Sequence, residues 1–426
     1  MTLLLALPFV GLLLSIALLP GLAPRFWLRH MGWVALGWSA ALLLAQALLA
    51  GPRVAEAAAW HALLIDYLPF VTLLGALYVA AGGVLLSGGP RGTPAGNTAT
   101  LAFGLALGLV MGPTGAAMVL IQPLLAANAH RQHKMHLVLF LIVLVANVSG
   151  ALTPLGNPPL FAGLLRGVPF AWPLHHLLGP YLLLSGGLLA VFYILDRHWA
   201  HDEPPAPPTG PPRIRGWGNL GLIALLGLSV LAQGLPLPDV VLLGQSVGAG
   251  RLAGIGMAVA AAGLSLLITP SAVRQANDFT WHPMAEVAVL FAGIFVTLEP
   301  VSAMLQAGTD GPLMALTRGA PPVVYFWLGG LLSAFLDNAP TYLVFFDLAG
   351  IRPDRLAGAA ERTLTAISAG AVFFGGLTYI GNAPNLMLRA VAAHRGVRMP
   401  GFTGYMLRAG ALLLPLFAVL SLVFFR

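Results

Sequence analysis

The chain has no cysteine in 426 residues, which excludes disulfides, iron–sulfur clusters and thiolate zinc sites and leaves the redox compartment open. Charge is almost as scarce. Only 8% of residues are Asp, Glu, Lys or Arg, against roughly 25% in a soluble globular chain. With 58% hydrophobic residues and a mean hydropathy of +0.88, a soluble enzyme is excluded. Alternating segments of about ten residues, the mark of a transmembrane barrel, are also missing. What is present instead is a series of continuous apolar runs about twenty residues long, the length that carries a helix across a bilayer. The composition therefore predicts an all-α integral membrane protein, with almost all of the charge, net +7, lying between the apolar stretches.

The first run, Leu3 to Leu19, has no basic residue before it and is too long for a signal peptide core, so it reads as a membrane helix. Further spans are predicted at 31–50, 63–86, 137–165, 173–195, 217–235, 252–269, 284–306, 364–388 and 409–425, giving about ten transmembrane helices. Two other apolar stretches, 98–127 and 323–350, are broken midway by Gly112-Pro113-Thr114-Gly115 and Asp337-Asn338-Ala339-Pro340. Arms of about 14 residues make roughly 21 Å of helix, too short for a hydrocarbon core about 30 Å thick, so both read as re-entrant helical hairpins. Arginine and lysine in the short loops favour an N-terminus outside and a multi-pass orientation. The proline-rich stretch 196–216 reads as an extended cytoplasmic linker between a first repeat (1–195) and a second (217–426).

An offset of 225 residues lays Gly150–Pro159 on Gly375–Pro384 with Gly, Leu, Thr, Gly, Asn and Pro in common, and lays Gly112 on Asp337. Hairpin, loop and motif recur as a unit. Five crossings plus a hairpin per half turn the second half upside down, which predicts two inverted-topology repeats with broken helices at 137–165 and 364–388. Backbone unpaired in hydrocarbon costs several kcal/mol per group, so the four breaks are expected to meet in one protein-lined cavity.

Within each Thr-x-x-Gly-Asn-x-Pro segment, proline removes a donor, glycine widens the backbone repertoire, and Thr and Asn supply oxygens. The candidate ion- and substrate-binding residues are Thr153 and Asn157 in the first copy and Thr378, Asn382 and Asn385 in the second. Thr114, Asp337, Asn338 and Thr341 join them at the hairpin tips. Sodium ligation falls to Asp337, Asn157 and Asn382. Asp337 is a carboxylate near mid-membrane, an environment that favours its neutral form until a cation binds; capping of the second arm is its alternative role. Glu299, before Pro300, is a candidate for a proton path. Asp66, Glu286 and Asp347 read as interfacial, and His130, His133, Lys134 and His136 as a solvated basic loop rather than a metal site.

At Met111–Met118, Leu152–Phe161, Phe335–Tyr342 and Thr378–Asn385 the chain resembles the ion transporter superfamily, in particular the bacterial sodium:proton antiporters and citrate transporters. The resemblance, from about residue 63 onward, implies a carrier with scaffold and transport parts, often a homodimer, working by an elevator-like movement in the bacterial inner membrane. Relatives often carry Asp where this chain has Asn157, which implies fewer coupling ions or more reliance on Asp337. The leading expectation is exchange of Na+ or Li+ for H+. The rival is Na+- or H+-coupled uptake of citrate or a dicarboxylate, with Arg166 and Arg389 as anion contacts. No tightly bound cofactor and no nucleic-acid partner are expected; the partners are the bilayer and a small cation or carboxylate. No Gly-x-Ser-Gly, His-Glu-x-x-His or paired catalytic aspartates point to a membrane-embedded enzyme.

Overall fold

The computed structural model describes every residue except 1, 155–156, 209, 234–236, 278, 307–316, 318, 337 and 353–357. Among the described residues the protein is a helical membrane bundle. Seven helical runs are long and apolar enough to cross a bilayer: Arg29–Ala50, Pro52–Gly82, Met135–Leu152, Trp172–Ala200, Ala249–Ile268, His282–Val301 and Phe402–Phe424. Leu7–Leu22 and Trp217–Gln233 are shorter, and the span expected at 364–388 is interrupted after Ala359–Phe373.

Both hairpins fold back on themselves. In Pro94–Ala127 the reversal falls at Gly112, whose φ of 79° and ψ of 156° lie outside what other L residues adopt comfortably. Asn97 and Asn128 exchange side-chain hydrogen bonds of 3.0 and 2.7 Å at the base of this hairpin. The second hairpin joins Pro322–Ser333 to Asn338–Leu348. A Cβ on Gly104 would stand 2.7 Å from Leu120, and one on Gly329 would stand 3.4 Å from Phe345. These two pairs correspond at the 225-residue offset, so the arms of both hairpins close on a glycine at the same place.

Among the described residues five apolar helical passages lie between the two hairpins, an odd number, so the second enters from the face opposite the first. Contacts between connections agree with two opposed faces. On one, Leu85–Ser87 pairs antiparallel with Arg213–Arg215, and Arg131 and His136 bind Asp196. On the other, Arg166 pairs with Asp347, His176 with Glu361, and Gln245 donates to the Ala57 carbonyl. None of these contacts joins one set to the other.

Two expectations about connections need correction. Helix Trp172–Ala200 continues into the stretch read as linker, and Asp196 is fully buried in it. Its carboxylate accepts from Asn97 at 2.8 Å, from His136 at 2.8 Å and from Arg131. The loop read as solvated is therefore partly buried: Arg131 and His136 turn inward onto a carboxylate, and burying a charge requires that kind of partner. The linker also does not run free throughout, because its end pairs as a strand with the first half.

Candidate functional site

Each broken helix unwinds before its threonine. In the first half a π-helical turn, Leu141–Val145, leads to a 3-10 turn, Val148–Leu152, after which Thr153 is extended. In the second, the 3-10 turn Phe374–Leu377 leads to an extended Thr378. The helices resume at Pro158–Leu165 and Ala383–His394, with Asn157 and Asn382 as extended residues at their starts. Proline near the start of each resumed helix fits, since the first helical N–H has no intrahelical partner.

The threonines bind the hairpins by equivalent bonds. Thr153 donates to the Leu109 carbonyl at 3.1 Å, and Thr378 donates to the Ala334 carbonyl, each acceptor standing three residues before its hairpin break. Thr378 does more, because its hydroxyl also accepts from the amides of Ile380 (3.2 Å) and Gly381 (3.0 Å). The repeat read from identities is thus also a repeat of hydrogen bonds.

The asparagines depart from that symmetry. Asn157 is buried and donates to the Gly150 carbonyl at 3.2 Å, while its Oδ1 is buried without a hydrogen-bond partner among the described residues. The bond equivalent to Asn157–Gly150 is made in the second half by Asn385, which donates to Gly375 at 2.8 Å and to Thr378 at 2.9 Å. Asn382 is thereby free to reach into the first half, where it donates to the Ala146 carbonyl (2.9 Å) and to Asn147 Oδ1 (3.1 Å). Asn147 in turn donates to Asn385 Oδ1 at 3.0 Å and to the Ile142 carbonyl at 2.7 Å. The motif asparagines of both halves therefore hang on one short stretch, residues 146 to 150. Each uses its NH2 on protein acceptors, and neither Asn157 Oδ1 nor Asn382 Oδ1 receives a hydrogen bond among the described residues.

The second hairpin tip belongs to the same cluster. Asn338 is buried, and with its amide nitrogen turned toward acceptors it donates to the Gly381 carbonyl at 2.6 Å and to the Ser333 hydroxyl at 2.9 Å. Ser333 passes the chain on to the Ala371 carbonyl at 2.7 Å. Thr341 is buried one turn further along, and Thr114 is half-buried just past the first tip. Gly150 packs so closely on Pro113 that a Cβ would not fit, which brings the first tip against the first break. Asp337 lies outside the described residues, between Leu336 and Asn338.

Other expected residues lie elsewhere. Glu299 accepts from Gln46 at 3.0 Å, and that partner belongs to helix Pro24–Ala50 rather than to a break. Arg166 is paired with Asp347, and Arg389 lies over the Tyr379 ring, 5.0 Å from its centre. Asp66 is exposed and 3.7 Å from His61. Asn147 was missed by the motif reading. Its signal was present, as a lone amide at the end of the apolar run Leu137–Ala146.

Among the described residues the arrangement supplies neutral oxygens without donors and helix starts, groups of the kind that bind small ions. No curated protein sequence matches the chain. Among solved structures it is similar to the YdaH transporter of Alcanivorax borkumensis, described as having an unusual topology. That likeness is 19% identity over 87% of this chain and 88% of the other, with a TM-score of 0.37. A likeness at that level bears on neither fold nor site. The sequence match is far broader: over residues 1–425 the chain fits the family described as "Putative citrate transport", and this multi-pass protein belongs to that family of membrane transporters.

Proposed function

We propose that the protein carries citrate or a related carboxylate across the bacterial inner membrane, coupled to Na+ or H+. The observation that carries this reading is the pair of motif asparagines. Both commit their NH2 groups to protein acceptors and leave their oxygens without donors among the described residues, the state expected of ligands awaiting a cation. Helices resume beside them at Pro158 and Ala383 and after both hairpin tips, so four N-terminal ends offer positive potential to an anion. The family description supplies citrate as the anion to test first. Arg166, engaged by Asp347, is set aside as an anion contact.

Exchange of Na+ or Li+ for H+ stays as the second reading because Asp337 sits in sequence at the second tip, where a carboxylate can alternate between proton and cation. In both readings the basic face is cytoplasmic, and the hairpins with their breaks form the moving part of an elevator whose scaffold helices mediate a homodimer. One net charge crossing 100 mV contributes about 2.3 kcal/mol, enough for a gradient of roughly fortyfold.

Purified protein in liposomes separates the readings. Labelled citrate should accumulate under an inward Na+ or H+ gradient, and Asn157→Leu and Asp337→Asn should each abolish the coupling. Sodium-driven proton movement in the absence of any carboxylate, with no citrate uptake, would replace this proposal by antiport.

A further inference from the structure

Away from the breaks, on the basic face, lies a cavity of about 370 Å³. It forms where the loop after the first hairpin, the end of helix Trp172–Ala200 and the turn after helix Ala383–His394 meet, so both halves contribute to it. His133, Lys134, His136, Trp199 and Arg398 are among its lining residues.

The charge balance there is one-sided. Three carboxylates stand nearby: Asp202 is exposed and pairs with His201 at 3.0 Å, and the other two are taken. Asp196 accepts from Arg131, His136 and Asn97. Glu203 accepts from the amides of Gln132 (2.8 Å) and His133 (2.7 Å) and pairs with His133 Nδ1 at 2.9 Å. Lys134 and Arg398 form no ion pair and no side-chain hydrogen bond among the described residues, although Lys134 is only half exposed. Two uncompensated cations therefore line a concave site. Trp199, 40% exposed, stacks on His133 with ring centres 4.7 Å apart. An exposed indole beside Arg and Lys at the end of a membrane helix marks headgroup depth.

We propose that this cavity binds a phosphate-bearing anion at the membrane surface, with Lys134 and Arg398 as its charge partners. A negatively charged phospholipid headgroup and a soluble phosphate share that chemistry, and basic pockets between membrane helices are suited to it. Because the walls come from both repeats, a bound phosphate ties the 131–134 loop to the 396–398 turn. The site does not depend on which substrate is carried.

The test uses the full-length protein in detergent, with thermal unfolding measured against phosphatidylglycerol, phosphatidylcholine or inorganic phosphate. Phosphatidylglycerol should raise the unfolding midpoint of the wild type and of Lys134→Arg/Arg398→Lys, whereas phosphatidylcholine should not. Lys134→Gln/Arg398→Gln should bind about fivefold more weakly for each cation removed. A stabilisation matched by inorganic phosphate alone makes the ligand a soluble phosphate; one specific to phosphatidylglycerol makes it a lipid. No stabilisation by either, or an undiminished one in the glutamine variant, overturns the proposal. Should the double variant fail to fold, Arg398→Gln alone, at an exposed position, decides the question through its fivefold weakening.

Discussion

The two halves of the site are built on one plan and finished differently. Thr153 and Thr378 hold their hairpins by the same bond, to Leu109 and Ala334. In the second half, however, the threonine hydroxyl also gathers two amides, and Asn385, Asn382 and Asn338 are all linked to backbone or to Asn147. In the first half a single motif asparagine makes one bond and leaves a buried oxygen bare. The second half is thus the more heavily bonded wall; both halves present an open asparagine oxygen among the described residues, and only that of Asn157 is fully buried. A duplicated sequence can diverge in this way because one added amide, Asn385 where the first half has Leu160, takes over the bond to the glycine carbonyl and frees its neighbour.

The most severe way to break this comparison is to remove the joint. Asn147→Leu leaves Asn385 Oδ1 without its donor and Asn382 with one acceptor fewer, and should cost about 2 kcal/mol and most of the transport rate, read as a lowered unfolding midpoint and reduced uptake in liposomes. Next come the threonines. Thr378→Val should cost about 1.5 kcal/mol and Thr153→Val about 0.5 kcal/mol, since one hydroxyl makes three bonds and the other one. Equal costs would mean that the second half is no better organised than the first. Asn157→Asp sharpens the contrast by giving the bare oxygen a charge. It should lower the Na+ concentration for half-maximal transport by several-fold, about 1 kcal/mol, with a smaller shift for Asn382→Asp.

The smallest effect lies outside the membrane. Burial pushes the Glu203 carboxyl up, but hydrogen bonds from the Gln132 and His133 amides and the His133 ring outweigh it and hold the group below the usual range. A carboxyl lowered by folding stabilises fully above its unfolded value of about 4.3, and the contribution is lost as pH falls through the lowered folded value. Protection of the Gln132 and His133 amides, taken relative to their intrinsic exchange rates, should therefore persist at pH 5–6 and be lost only as pH falls below the ordinary glutamate value. Loss of protection already at pH 6 would place the control of this loop on a histidine.

What could be read in the sequence was what is local. Gly112, Pro113, the two Gly-Asn pairs and the lengths of the flanking arms announce breaks and hairpins, because proline and glycine act on the backbone where they stand. Partnerships over long separations could not be read. Asp196 looked like the first residue of a polar linker because Asn97, Arg131 and His136, which neutralise it, stand 60 to 99 residues earlier in the chain. Asn147 was overlooked for a related reason, since its partners are 235 and 238 residues away. Nor does the repeat itself say that Asn382 reaches across to the first half, because that depends on Asn385, three residues past the shared motif asparagine.

The short ladder between Leu85–Ser87 and Arg213–Arg215 gives the linker an address on the first half. The second half begins directly afterwards, at Trp217. A polypeptide severed among prolines 204 to 208 would therefore keep a docking strand on its downstream fragment. The two pieces, produced from separate messages, would have a means of finding each other in register.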